Sequence, residues 1–300
     1  MTPTIRVLER YASLCPFGVR FHDPVMRSSI GEGLRVTARP PGRHATKREA
    51  HLTRSDVFAF QNLPGLRDIE IGRGDQQFWE SFDQGLSRRR RFVIEVEDGW
   101  RRFLPFSFTA ELPHRGLFEL SCLGSPPSLV DLPVAGVPLF SSPARLVPGG
   151  MAVVRAQIEE FSTGRPAAGA LLEIEASSAS MPATRALGLA DNEGRVVVMF
   201  PYPELAPPPS QRLSPPASGQ SLSSREWSVN VRIFWGPVSE GEELPDLCAL
   251  LRDQPEREPL GTISPLGRLP VQTLRYGREL VLRSEESLSV LFINSAASPP

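Results

Sequence analysis

Four histidines, His22, His44, His51 and His114, are the only imidazoles among 300 residues, so any acid–base or metal chemistry by imidazole has to be assembled from them. His22 stands before Asp23 in FHDPV, an order that would suit an acid/base dyad but suits equally a turn in which the ring pairs with the carboxylate. The turn is the reading adopted. His44 and His51 could approach each other across a loop, yet a zinc site needs three or four ligands and no third is in view. Cys15, Cys122 and Cys248 are odd in number and widely spaced, with no CxxC pair, so they read as buried thiols rather than a disulfide framework or a structural metal site. The sequence contains no GxSxG elbow, HExxH helix, Walker loop or GxGxxG after a strand. No catalytic residue, cofactor or metal is therefore expected, and an enzyme ranks behind two non-catalytic readings.

Charged and aromatic clusters remain. Asp191, Asn192 and Glu193 precede Gly194, but their register departs from a DxDxDG calcium loop, and a hairpin turn explains them better. Arg73-Gly74-Asp75 is an RGD triplet of the kind expected by chance. Arg88, Arg89, Arg90 and Arg91 form a run before FVIEVE; a nucleic-acid role would need further basic and aromatic residues on the same face, so a solvated loop docking on an acidic protein partner is expected. Of the tryptophans, Trp100, Trp227 and Trp235 sit on or beside apolar strands and read as core. Trp79, in QQFWESF, is the candidate for an exposed contact.

The elements that must carry these residues are short. Thirty-one prolines and 24 glycines interrupt every helical pattern, while apolar runs of strand length recur between turn signals. Strands are expected over Gly18 to Phe21, Leu34 to Arg39, Val57 to Gln61, Arg91 to Glu97, Trp100 to Leu104, Met151 to Ile158, Ala170 to Ala176, Arg195 to Phe200 and Trp227 to Trp235. Glu279 to Arg283 and Leu288 to Ile293 would form a closing hairpin. Helix is confined to Thr4 to Leu14, Gln76 to Leu86 and Pro245 to Leu251. The fold class is all-β: two β-sandwich domains with long loops and few short helices, divided as residues 1–135 and 136–300, with the boundary near Ser125 to Pro148 and a Pro-rich loop over 201–220.

A net charge of −1 gives no basis for nucleic acid or an anionic membrane as the main partner. No apolar stretch approaches the roughly 20 residues of a membrane span. The first residues, MTPTIRVLERYASLCPFG, hold no signal-type apolar run, so synthesis in the cytoplasm is expected.

A weak internal repeat organises the chain. GLRVTARP, then SDVFAFQNLPGL, then RFVIEVEDGWRRFLPF in the first half correspond to GALLEIEASS, then NEGRVVVMFPYPEL, then REWSVNVRIFW in the second. Each copy reads as a strand, an excursion, a turn, an alternating strand ending in an apolar residue and proline, and a further strand. The run PAAGALLEIEA followed by GLADNEGRVVVMFPYP resembles the carboxypeptidase-regulatory-like or transthyretin-like (Cna-B-like) sandwich, over about Ala152 to Trp235 and more faintly over Leu34 to Phe108. That resemblance implies a scaffold or adhesion module. Pilin members of that family form a Lys–Asn isopeptide cross-link on core strands; the single lysine here, Lys47, lies in a polar segment and reads as a loop charge, and the second half has none.

The order FAFQNLPGLRDIE, RRFLPFSFTAELPHRGL, VPLFSSPARLVPGGMAVVRA and LRYGRELVLRSEESLSVLFI is similar to that of proteins encoded beside phage-tail-like contractile injection particles. It implies a structural or adaptor subunit that contacts other protein subunits of a large assembly and is built into a particle released from or held in the cell. The alternative is a carbohydrate- or receptor-binding module.

Overall fold

A computed structural model describes residues 15–42, 45–70, 89–120, 122, 136–178, 181–203, 224–236, 244–252 and 254–297. The expected helices over Thr4 to Leu14 and Gln76 to Leu86 lie outside these residues, as does most of the Pro-rich loop. The described chain is all-β, with two short helices, Arg67–Glu70 and Leu247–Arg252.

Around the first core three small sheets assemble. Strand Leu34–Arg39 pairs antiparallel with Arg90–Asp98, which pairs in turn with Phe106–Leu112. Gly18–Val19 lies between Phe58–Ala59 and Leu117–Phe118, and Phe21–Asp23 lies between Ser28–Ile30 and Val137–Pro138. Alternation decides what faces inward: Phe106, Phe108, Ala110 and Leu112 are all buried, with Phe92, Ile94 and Val96 beside them. Phe17, Phe21, Phe58 and Phe60 complete an aromatic centre in which rings meet edge to face, Phe21 on Phe58 at 5.5 Å and Phe17 on Phe118 at 5.2 Å, an arrangement favoured by the ring quadrupole.

The second core lies between sheets that share one strand. Met151–Glu160 pairs with Arg195–Pro201 on one side, and on the other with Leu280–Leu282 near its middle and Leu291–Ala297 at its end. By changing neighbour it passes from one layer to the other, the way a sandwich makes a corner. The opposing layer runs Met181–Leu189, Leu171–Ser178, Glu226–Phe234, Glu256–Ile263. Val196, Val198 and Phe200 point inward with Trp227 and Ile233.

The repeat is present in the pairing itself. Leu34–Arg39 with Arg90–Asp98 corresponds to Leu171–Ser178 with Glu226–Phe234; Gly18–Val19 with Phe58–Ala59 corresponds to Met151–Glu160 with Arg195–Pro201, all antiparallel.

Two expected elements differ. Trp100 to Leu104 is a turn, with only an isolated bridge at Phe103, because the Asp98 carboxylate accepts the backbone N–H groups of Trp100, Arg102 and Phe103 and curls the chain back. The closing hairpin is absent: Leu280–Leu282 and Leu291–Ala297 both run parallel to Met151–Glu160. Ser284 closes the loop between them, its N–H donating to Val290 O and its hydroxyl accepting from Phe292 N, so the chain advances along the strand instead of doubling back.

The cysteine expectation also needs correction. Cys122 and Cys248 form a disulfide, with Cα atoms 5.6 Å apart, although they lie 126 positions apart in sequence. Long-range folding, not local spacing, brings these residues together. Cys15 is the free and exposed cysteine. The bond stands where helix Leu247–Arg252 inserts Leu247, Leu250 and Leu251 into the first core, so a segment from late in the chain completes an early one.

Candidate functional site

The polar groups that sequence reasoning singled out are spent chiefly on holding backbone in place. Asp191 caps its own turn: its carboxylate accepts from Glu193 N and Arg195 N, both at 2.9 Å, and from Arg195 Nε at 3.0 Å. The turn reading of this acidic cluster therefore stands, but the turn is not a hairpin: it joins Met181–Leu189 to Arg195–Pro201, strands that pair with different neighbours in opposing layers. That carboxylate raises the Arg195 guanidinium above its ordinary range, chiefly by hydrogen bonding, with Glu193 adding charge.

Lys47 is more than a loop charge. Its Nζ lies 2.7 Å from Oε2 of Glu95, which is buried on strand Arg90–Asp98, while Arg39 Nε donates to Oε1 at 2.8 Å. Burial by itself would push the Glu95 carboxyl up, but the hydrogen bonds from Lys47 and Arg39 outweigh it and hold the group below the usual carboxylate range.

His22 and Asp23 do not pair in an exposed turn. Both are buried on Phe21–Asp23. Asp23 accepts from both terminal nitrogens of Arg145, whose Nη1 also donates to Ser141 Oγ at 2.9 Å. The guanidinium lies over the Phe103 ring, 4.8 Å from its centre. The His22 ring has neither nitrogen hydrogen-bonded, and burial pushes its pKa down despite the opposing charge of Asp23. The unfolded chain therefore binds this proton more readily than the folded one, so stability present above the ordinary histidine pKa of 6.5 is lost as pH falls through it. A His22→Gln variant should show a shallower loss of urea midpoint between neutral pH and about pH 5 than the unsubstituted protein. Equal slopes would exclude His22 as the source.

Arg145 also fixes a strap, residues 141–145, that runs between the two cores. Ser142 N donates to Arg102 O at 2.8 Å on one side, and Arg155 Nη1 donates to Pro143 O at 2.7 Å on the other. Beneath the strap lies a cleft of about 430 Å³, lined by Ser142, Pro143, Arg155, Gln157, Asp191 and Arg195 among others. Arg155 is further held by Glu279 at 2.9 Å. These groups offer hydrogen bonding to an extended or carboxylate-bearing segment. Among the described residues no group of three or more His, Cys, Asp or Glu is placed to hold a metal. His51 is exposed on its short strand, His114 packs edge-on against Phe118, and His44 lies outside the described residues.

Beside the strap, Trp100 is 60% exposed rather than core, whereas Trp227 and Trp235 are buried as expected. Gly33, at φ +82°, lets the indole lie against the backbone; a Cβ there would stand 2.8 Å from the ring. Arg102 stacks on the indole at 4.4 Å and is anchored by Asp98 through Nε and Nη2, each at 3.1 Å. An aromatic face held this firmly is a ready recognition surface. The sequence signal that could have found it is Asp98-Gly99, a turn pair immediately before the tryptophan.

The expected arginine loop is partly strand. Arg90 and Arg91 open Arg90–Asp98, opposite Leu112 and Glu111, and the Arg90 side chain lies over Gly65. Arg89, Arg90 and Arg91 are exposed. Arg88, Trp79 and the RGD triplet lie outside the described residues.

No protein-family model matches the chain, and no curated protein is significantly similar to it. Solved structures give distant likenesses. A Streptococcal ancillary pilin is 8% identical, with 95% of this chain and 63% of that one covered at a TM-score of 0.22. Shaft pilin spaA from Lactobacillus rhamnosus GG is 7% identical, with 95% and 98% covered, at 0.21. A 9R-lipoxygenase from Cyanothece is 10% identical, with 53% and 19% covered, also at 0.21. The chain thus spans about a fifth of the lipoxygenase and under two thirds of the ancillary pilin. Likenesses at such scores carry no argument about function, and the all-β class rests on this chain's own strands.

Proposed function

We propose that the protein is a non-enzymatic structural or adaptor subunit acting through protein–protein contacts. The observation behind this reading is how firmly the two cores are fixed against each other. Val25, beside the Asp23–Arg145 pair, covers Val153, Val197 and Met199 on the outer face of the second sandwich. Helix Leu247–Arg252 plugs the first core and is bonded to it through sulfur. A spacer that sets the separation of its partners needs this kind of rigid seam, and partner contacts then fall on the exposed loops and strand ends, Arg89 to Arg91 among them. The resemblance of its chain order to that of proteins encoded beside contractile injection particles is the ground for the finer reading of a phage-tail-like particle subunit, made in the cytoplasm and carried in the particle.

Pull-down of the tagged protein from its native host should recover particle subunits, with recovery falling as salt screens the arginine contacts. Recovery of soluble glycans alone would favour the second reading, a carbohydrate- or receptor-binding module, for which exposed Trp100 is the described candidate. In that case Trp100→Ala should abolish glycan binding while changing stability by only about 0.5–1 kcal/mol, the scale of an exposed cation–π contact.

A further inference from the structure

We propose that the Cys122–Cys248 disulfide is a redox latch that holds helix Leu247–Arg252 in the first core and lets it open selectively on reduction. The helix is short, and its apolar attachments lie along one face. Leu247, Leu250 and Leu251 are buried against the first core. Asp246 caps the helix through Ala249 N at 2.9 Å. The segment leading in is tied to strand Phe106–Leu112 at one residue: Ser107 N donates to Pro245 O at 2.8 Å, and the Ser107 hydroxyl faces Leu244 O and Pro245 O. Ala249 and Arg252 are exposed and Cys248 is partly buried, whereas Cys122 is buried, so Cys248 is the side from which a reductant would approach the bond.

The chemistry is thiol–disulfide exchange with a small dithiol. One dithiol thiolate attacks a sulfur of the bond and forms a mixed disulfide, releasing the other cysteine as a thiolate that takes up a proton. The second dithiol sulfur then closes on the first, freeing the remaining protein thiol; two electrons pass from dithiol to protein, and the dithiol ends as a cyclic disulfide. Once cut, the latch no longer imposes the high effective concentration of a covalent tether, and the helix is left to its noncovalent contacts, chiefly the burial of its three leucines and the Ser107 hydrogen bonds. Opening would then bare Leu247, Leu250 and Leu251 together with the part of the first core they cover, to which Leu171 and Leu189 of the second sandwich also contribute, while the second core around Met151–Glu160 and Arg195–Pro201 stays closed.

The test is native-state hydrogen exchange on the full chain, with Cys15→Ser to prevent disulfide exchange, before and after dithiol treatment. A Cys122→Ser/Cys248→Ser version measured without reductant separates loss of the bond from any effect of the dithiol. Peptides covering residues 245–252 and 106–120 should exchange about ten-fold faster or more in the reduced protein, a local opening, while those covering 151–160 and 195–201 keep their rates. Unchanged exchange at 245–252 would overturn the latch. A uniform acceleration across both cores would do so as well, since it would make the bond a general staple; if the double variant does not fold, the dithiol-treated chain gives the same comparison.

Discussion

Replacing Asp23 by alanine should lower stability by about 3–5 kcal/mol, the usual cost of stripping one member from a buried ion pair. The two side chains are 1% and 8% exposed, so water can do little for the guanidinium left behind. Arg145 would keep Ser141 Oγ and the Phe103 ring, neither of which neutralises its charge. Asp23 also accepts from Val25 N at 3.0 Å, so its loss loosens the turn that seats Val25 on the second sandwich. Truncating both partners in a double-mutant cycle separates pairing from packing: Asp23→Leu with Arg145→Met should recover much of the loss, because an apolar pair leaves no charge stranded. A chemical-denaturation shift below about 1 kcal/mol for Asp23→Ala would place this contact in the class of weak surface pairs instead.

Strands were legible where their ends are marked chemically. Leu34–Arg39 has the expected ends, set by Gly33 before and Pro40 after; Arg195–Pro201 lies between Gly194 and a proline that ends the ladder. Phe106–Leu112 is readable, since its apolar residues alternate, but the expected strand stops at Leu104, just before it. Met181–Leu189 offers no such signal: MPATRALGL begins with Met-Pro and never alternates, and its place at the sheet edge follows from pairing with Leu171–Ser178. The candidate site was harder to read because it is made of long-range pairs. Asp23 meets Arg145, Lys47 meets Glu95 and Cys122 meets Cys248, and nothing in local spacing announces any of them. Trp100 was misassigned for the opposite reason: its neighbours look like a strand, and a single carboxylate, Asp98, turns them.

Gly194→Ala should cost about 3 kcal/mol or more, because this position combines two penalties that occur singly elsewhere in the same sandwich. Its φ is +75°, and a Cβ there would fall 2.3 Å from Ile158 O, a backbone atom with no rotamer to move away. That oxygen already accepts from Ala167 N at 2.9 Å, while Ile158 N donates to Gly194 O at 2.8 Å, so the clash pushes apart the hydrogen bonds that close this end of the sheet. Gly164 isolates the conformational part: at φ +65° with open space around it, its alanine variant should lose about 1–2 kcal/mol. Gly188 isolates the steric part, since its Cβ would meet Val196, Val198 and Val197 O at 2.8 Å without a positive φ, for about 1–3 kcal/mol. Unfolding midpoints should therefore rank Gly194→Ala below both single-penalty variants. If it matched Gly164→Ala, the close approach to Ile158 would not be what demands glycine. Because the same turn presents Asp191 and Arg195 to the cleft beneath the strap, the Gly194 variant should also weaken any ligand seated there, whereas Gly164→Ala, away from the cleft lining, should leave binding unchanged.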